Sequence, residues 1–461
     1  MCRSRDKKTG GFGFGCLRLA NIYCMKIYLS AIVVLSLCVL GHAQPRDLKK
    51  SSLREVNKVA QPPATSVIAI VGANLIDGRG GPVVPDSVIV IRGERIVAVG
   101  KQGEVKIPAG AEMVDAKGFT LLPGLIDAHF HIDGDDALPA LFLSHGVTSL
   151  RDPGQWIEAY EKTRKASAPI PRLFLCGPHL DSPPPAYPAD SFIVRDAEET
   201  RRAVNRFVDE GASAIKVYYR LPLALVKVAI ETAHARGVPV MAHLEIVDAR
   251  DAIRAGIDGI EHATSFGGAL LPLRDAEKYR QSVLADNNAR REGRYHVWNS
   301  INLKTPQAES LFKLIVDHGV VISPTLAVFE RQFGDKGTTG IHIHAFKQMK
   351  AFVGLANKAG AKIVVGSHSD VPHARRGWAY QRELELLVES GLTPMQALVA
   401  GTMENARYFH IADRLGSVEA GKVADLVLVE GDPSKDIRKM RHIKRVMLNG
   451  VWRRTEGESG R

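Results

Sequence analysis

Six side chains at the ends of apolar runs carry the chemistry that this sequence can do. His129 and His131 close the run Asp127-Ala128-His129-Phe130-His131. Residues two apart on a strand point to the same side, so both imidazoles can reach one metal ion. Lys216 sits inside Ala214-Ile215-Lys216-Val217-Tyr218, where a lysine is costly unless it is paired, chemically modified, or snorkels out at the strand end. His243 ends Val238-Pro239-Val240-Met241-Ala242-His243, and His262 ends Gly259-Ile260-Glu261-His262. Any one of these could be a satisfied core histidine; the recurrence on successive strands points to a shared site. The sixth position, near the end of Val365-Gly366-Ser367-His368-Ser369-Asp370, offers an imidazole and a carboxylate two residues apart.

These positions need a scaffold that gathers strand ends. From Thr120 onward the pattern alternates apolar strand, loop and amphipathic helix. Strands are predicted at Thr120–His129, Val147–Arg151, Arg172–Cys176, Ala214–Tyr218, Val238–His243, Gly259–His262, Val320–Pro324 and Lys362–Gly366, with helix-period segments between them. Eight such units predict an α/β fold, a (β/α)8 TIM barrel over residues 119–410, whose site lies at the C-terminal strand ends. Short β-rich runs at residues 66–118 and 411–455 predict a small β-sandwich unit built from the N- and C-terminal segments. Residues 265–306 are polar and charge-rich, and are expected to be a long loop serving as a lid or simply mobile.

Composition narrows the partners. The formal charge of +11 comes from 61 Lys+Arg against 50 Asp+Glu. Six of the basic and one of the acidic residues lie in residues 1–43, so the remainder carries 55 against 49. That excess, without a basic block, argues against a nucleic-acid partner. The segment Met25-Lys26-Ile27-Tyr28 runs into apolar Leu29–Leu40 and then Gly41-His42-Ala43, the layout of a signal segment spanning residues 1–43, with residues 1–24 an over-long start if Met25 initiates. Residues 44–65 read as a linker. The expectation is periplasmic or secreted protein with no stable membrane insertion after cleavage; an uncleaved or lipid anchor and cytoplasmic retention are the alternatives. Four of the five cysteines fall in residues 1–43, leaving Cys176 alone, buried and inert. His145 reads as a helix-end cap, His234 as packing, and Asp425 as structural. His179 and Tyr219 could line a pocket from strand ends.

The run Pro-Gly-Leu-Ile-Asp-Ala-His-Phe-His, with Ala-Ile-Lys-Val, Met-Ala-His, Gly-Ile-Glu-His and the tail Gly416-Ser417-Val418-Glu419-Ala420-Gly421-Lys422-Val423-Ala424-Asp425-Leu426-Val427, resembles the amidohydrolase superfamily. The similarity is to its imidazolonepropionase-like and Xaa-Pro dipeptidase-like (prolidase-like) branch, and covers about Val67 to Trp452. The resemblance implies that His129 and His131 hold one divalent ion, that His243 and His262 hold a second, and that carboxylated Lys216 bridges them. Imidazole and carboxylate donors without thiolate fit Zn²⁺, with Mn²⁺ or Fe²⁺ also accommodated. It further implies hydrolysis of an amide, peptide or cyclic-imide C–N bond by a metal-bridging hydroxide, with dipeptides or N-acyl amino acids as the expected small-molecule substrates. A homo-oligomer is compatible with this reading. The alternative is a catalytically silent barrel that binds small molecules.

The chain departs from the family after the eighth strand. Relatives carry Gly-Thr-Asp there, and gap-free matching puts His368 at the acid position. Asp370 is the expected metal ligand and general base, because on extended backbone it would face the same side and bring negative charge. His368 is the competing candidate.

Overall fold

The computed structural model describes residues 57 and 59–453. The expected signal segment at residues 1–43, and most of the expected linker at residues 44–65, therefore lie outside the described residues. No helix among the described residues is long and apolar enough to cross a membrane.

The first and last strands of the described residues meet in one mixed sheet of eight strands. Val67–Leu75 and Val84–Arg92 pair antiparallel, and Arg95–Lys101 extends them through a two-residue turn. Gly93, at φ 55°, supplies the left-handed first position of that turn. Leu426–Glu430 then pairs antiparallel with Phe119–Pro123, Leu426 opposite Pro123, which ties the C-terminal segment to the N-terminal one. One apolar cluster, including Ile70, Ile89, Leu121, Leu426 and Met447, holds this unit together. The expected sandwich is thus seen as a single hydrogen-bonded sheet. Alternating apolar residues specify strands with one buried face, but not which strands become neighbours.

The remaining strands are short, parallel and mostly buried, with polar residues such as Arg151, Asp181, Lys216 and Glu261 set among the apolar ones. Seven run in the order Ser191–Ile193, His179–Asp181, Ile215–Val217, Val240–Ala242, Gly259–Glu261, Val321–Ser323 and Lys362–Ile363. Three more, Leu125–Asp127, Val147–Asp152 and Arg172–Leu175, form a second parallel sheet. Backbone bonds link the two: Ala128 N donates to Val365 O at 2.9 Å, and Ser213 N to Leu175 O at 2.8 Å. Helices such as Ala197–Asp209, Leu223–Ala235 and Pro306–Asp317 follow the strands. Asp425 anchors the terminal sheet to this layer by accepting two bonds of 3.1 Å from the Arg172 guanidinium and one of 2.7 Å from Asn449 N.

The segment expected to be a long loop is helical instead. It forms Gly267–Leu270, Leu273–Ala285 and Ala289–Ser300. In the last of these Arg290, Val297 and Trp298 share the buried face at i, i+7, i+8 spacing. The dense charge of Asn287–Glu292 hides that period in the sequence. Trp298 packs edge-on against Phe352 of the helix Gly340–Ala359, at 5.6 Å between centroids. We call Ala289–Ser300 the roof helix.

Candidate metal centre

Parallel register aligns the strand ends. Val217 is opposite Ala242, and Ala242 opposite Ile260, so Lys216, His243, Glu261 and His262 arrive at one edge. His129 and His131 reach the same place from the end of Leu125–Asp127, and His368 from the segment after Lys362–Ile363. All of these except Glu261 line a pocket of about 350 Å³. The imidazoles form a connected group: His129 lies 4.9 Å from His131, 4.7 Å from His262 and 5.2 Å from His368 between centroids, and His243 lies 4.5 Å from His262.

Hydrogen bonds behind the rings fix which nitrogen faces the pocket. Nδ1 of His129 is 2.5 Å from Glu261 Oε2, so its proton is held there and the Nε2 lone pair points inward. Asp152 lies 3.5 Å from His131 Nδ1 and does the same for that ring. His262 Nδ1 meets Thr325 Oγ1 at 2.7 Å, and His243 Nε2 meets Glu245 Oε1 at 3.2 Å. Burial pushes His129, His262 and His368 well below the ordinary histidine value and His243 down to about 4, which keeps these rings neutral with free lone pairs. Burial also acts on His131, but the hydrogen bond and charge of Asp152 outweigh it and raise that group.

Three observations fit a divalent ion. With both protons on Nδ1, the Nε2 atoms of His129 and His131 face each other at 3.1 Å. Two lone pairs so placed repel unless a cation sits between them, and about 3.3 Å separates two nitrogens bound tetrahedrally at about 2.0–2.1 Å. His129, His131 and His368 each offer a nitrogen, all within 4.8 Å of one another. Finally, Lys216 Nζ and His243 Nδ1 are buried without a hydrogen-bond partner, at a residue only 2% exposed in the case of Lys216. Burial lowers the Lys216 amine to about 8.

His368, not Asp370, stands in the cluster. Two successive left-handed residues, His368 at φ 61° and Ser369 at φ 64°, break the extended backbone that would have put residues 368 and 370 on one side. His368 N donates to His129 O at 2.7 Å, and Ser369 Oγ accepts from His131 N at 2.6 Å, so the turn is stitched to the first strand. Asp370 is exposed and is not among the residues lining the pocket.

The acids behind the rings escaped the sequence reading. Glu261 was legible by the rule applied to Lys216, a charge inside a buried apolar strand; Asp152 and Glu245 bear no such mark. Among the other positions, His179 lines the pocket and stacks on Tyr218 at 4.3 Å, while Tyr219 donates to Asn287 Oδ1 at 2.9 Å. His145 bonds Gly377 O and stacks on Trp378. His234, expected to pack, is instead half-exposed and pairs with Asp258 at 2.7 Å. Cys176 is buried against Ala214 and Met241, and burial raises its thiol to about 11, which leaves it unreactive.

The chain matches the Amidohydrolase family over residues 120–453. Its structure is similar to a Xaa-Pro dipeptidase with bound methionine in the active site (TM-score 0.66, 22% identity, covering 84% of this chain and 100% of that one). It is also similar to the ochratoxinase of Aspergillus niger (TM-score 0.67, 20% identity, 86% and 98% covered). In sequence, A. niger ochratoxinase is 23% identical over 483 residues, covering 89% of this chain and 90% of that protein. An N-acyl-D-aspartate deacylase from Alcaligenes xylosoxydans xylosoxydans is 40% identical over 93 residues, a match that spans 18% of that relative's length. The chain belongs to the amidohydrolase family.

Proposed function

We propose that this is an exported hydrolase of dipeptides or N-acyl amino acids, with two divalent ions, Zn²⁺ foremost, held by His129, His131, Lys216, His243, His262 and His368. The two parallel sheets would be arcs of one (β/α)8 barrel over residues 119–410, with residues 66–118 and 411–455 as its appended β unit. The observation that carries the reading is the convergence of five imidazoles, four of them held neutral by burial, and an unpartnered buried lysine on one pocket. Lys216 is suited to carboxylation: its lone pair adds to the carbon of carbon dioxide, one C–O π pair moves onto oxygen as the N–C bond forms, and one proton leaves nitrogen to water, turning a costly buried amine into an anionic carbamate. When bound, the ions would acidify water and polarise the scissile carbonyl.

The chain's own residues do the rest. Glu261 and Asp152 hold His129 and His131 in the tautomer that leaves Nε2 free. Glu245 orients His243, and Thr325 orients His262. His368 takes the eighth-strand position, its neutral ring available to a metal or to a proton. The roof helix contributes Arg290, Arg291, Arg294 and Tyr295 to the pocket lining. Zinc-loaded protein should release amino groups from a panel of dipeptides and N-acyl amino acids, with kcat/KM of about 10⁴ M⁻¹ s⁻¹ or more for the best substrate. No turnover across that panel would overturn the substrate class.

A further inference from the structure

Resting on the amide-hydrolase reading above, we infer that Arg290 of the roof helix is the anchor for a substrate carboxylate and so selects anionic over neutral amides. Arg290 lines the same pocket as the imidazoles, yet it is only 3% exposed. Its Nη1 donates to Asn287 O at 2.6 Å and its Nη2 to Tyr187 Oη at 2.9 Å, while Nε has no partner. All of these acceptors are neutral. The guanidinium also lies over the rings of Tyr187 and Tyr219, at 5.3 and 5.2 Å. No carboxylate among the described residues forms an ion pair with it.

A buried guanidinium without a counter-charge is unfavourable in the free protein, and becomes favourable when a ligand supplies the anion. The neighbouring Arg294 makes the contrast. One turn further along the same helix, it pairs with Glu245 at 3.3 Å, so its charge is already offset. That pair has a second effect, since Glu245 also holds His243; the helix that presents Arg290 is thereby fastened to the imidazole cluster. Arg331 adds to the positive end of the pocket: it stacks over Tyr295 at 5.2 Å and donates only to the backbone carbonyl of Glu330. The pocket's own acids, Asp133 and Asp190, come from other segments and share the field of His131. The pocket is therefore polarised: Glu245 lies within the field of Arg290 but is paired to Arg294, so Arg290 keeps a buried guanidinium without an ion-pair partner on the roof, which a free carboxylate fits and a neutral carbamate or urea does not.

The test compares each N-acetyl amino acid with its carboxamide, for wild type, Arg290→Met and Arg290→Lys, all zinc-loaded. The wild type should favour the carboxylate by about 10²-fold in kcat/KM. Arg290→Met should collapse that ratio towards one, and Arg290→Lys should keep part of it. A wild-type ratio near one, or a ratio unchanged in Arg290→Met, would overturn the inference. Circular dichroism and zinc content show whether Arg290→Met folds; if it does not, the Lys variant decides by the same ratio. If neither form of any pair is cleaved, the hydrolase reading fails separately, and calorimetric titration with N-acetyl amino acids still decides the anchor: heat lost in the Arg290 variants supports it, and no heat in the wild type overturns it.

Discussion

Lys216→Ala should abolish hydrolysis by about 10³-fold or more, and short carboxylic acids such as formate, acetate or propionate should restore part of the rate. The magnitude is that of removing the anionic ligand proposed for carboxylated Lys216, whose charge stabilisation would amount to several kcal/mol, each about 1.4 kcal/mol being tenfold. Rescue is expected because the truncation leaves a buried space beside His129 and His262 of a size and polarity that a small carboxylate can enter. The lysine itself is unusual in having no hydrogen-bond partner for Nζ at 2% exposure. An ordinary structural lysine at a strand end would direct that group to solvent or to an acid. The readout is kcat across a carboxylic-acid titration with zinc content measured in parallel. Undiminished activity in the variant would make Lys216 a packing residue.

The second large effect separates His368 from Asp370. His368→Asn should reduce kcat by about 10²-fold or more and lower metal content, because the ring stacks on His129 and faces His131 within the cluster. Asp370→Asn should leave kcat within about twofold, as expected for an exposed side chain off the pocket. Negative charge reaches the centre from other positions. Glu261 and Asp152 lie directly behind His129 and His131, so negative charge reaches the centre through the imidazoles rather than from the eighth strand. A loss confined to Asp370→Asn would instead mean that the turn at residues 368–369 rearranges when substrate or metal binds.

Residue by residue, the parts of the site that were legible share one property. His129, His131, Lys216, His243 and His262 are polar groups at the ends of, or within, apolar strands, where burial without function is costly, and strand ends of parallel sheets meet at one edge. The relation of His368 to Asp370 was not legible, because it depends on two left-handed L-residues in succession, a conformation that no side-chain pattern announces. The roof helix was hidden for another reason: its buried face includes an arginine, which a hydrophobic period counts as surface. Strand partners in the terminal sheet were likewise beyond reach, since Leu426–Glu430 finds Phe119–Pro123 some three hundred residues away and alternation carries no address.

The central claim is that the histidine cluster is a metal centre on which hydrolysis depends. Its most direct test is metal analysis of the purified chain by inductively coupled plasma mass spectrometry, before and after chelation and in His129→Ala, with amide hydrolysis followed on the same samples. The account predicts about two divalent ions per chain, a sharp fall in both metal and rate on chelation and in the variant, and recovery of the chelated wild type on adding Zn²⁺. Full hydrolytic activity in metal-free wild-type protein would contradict it.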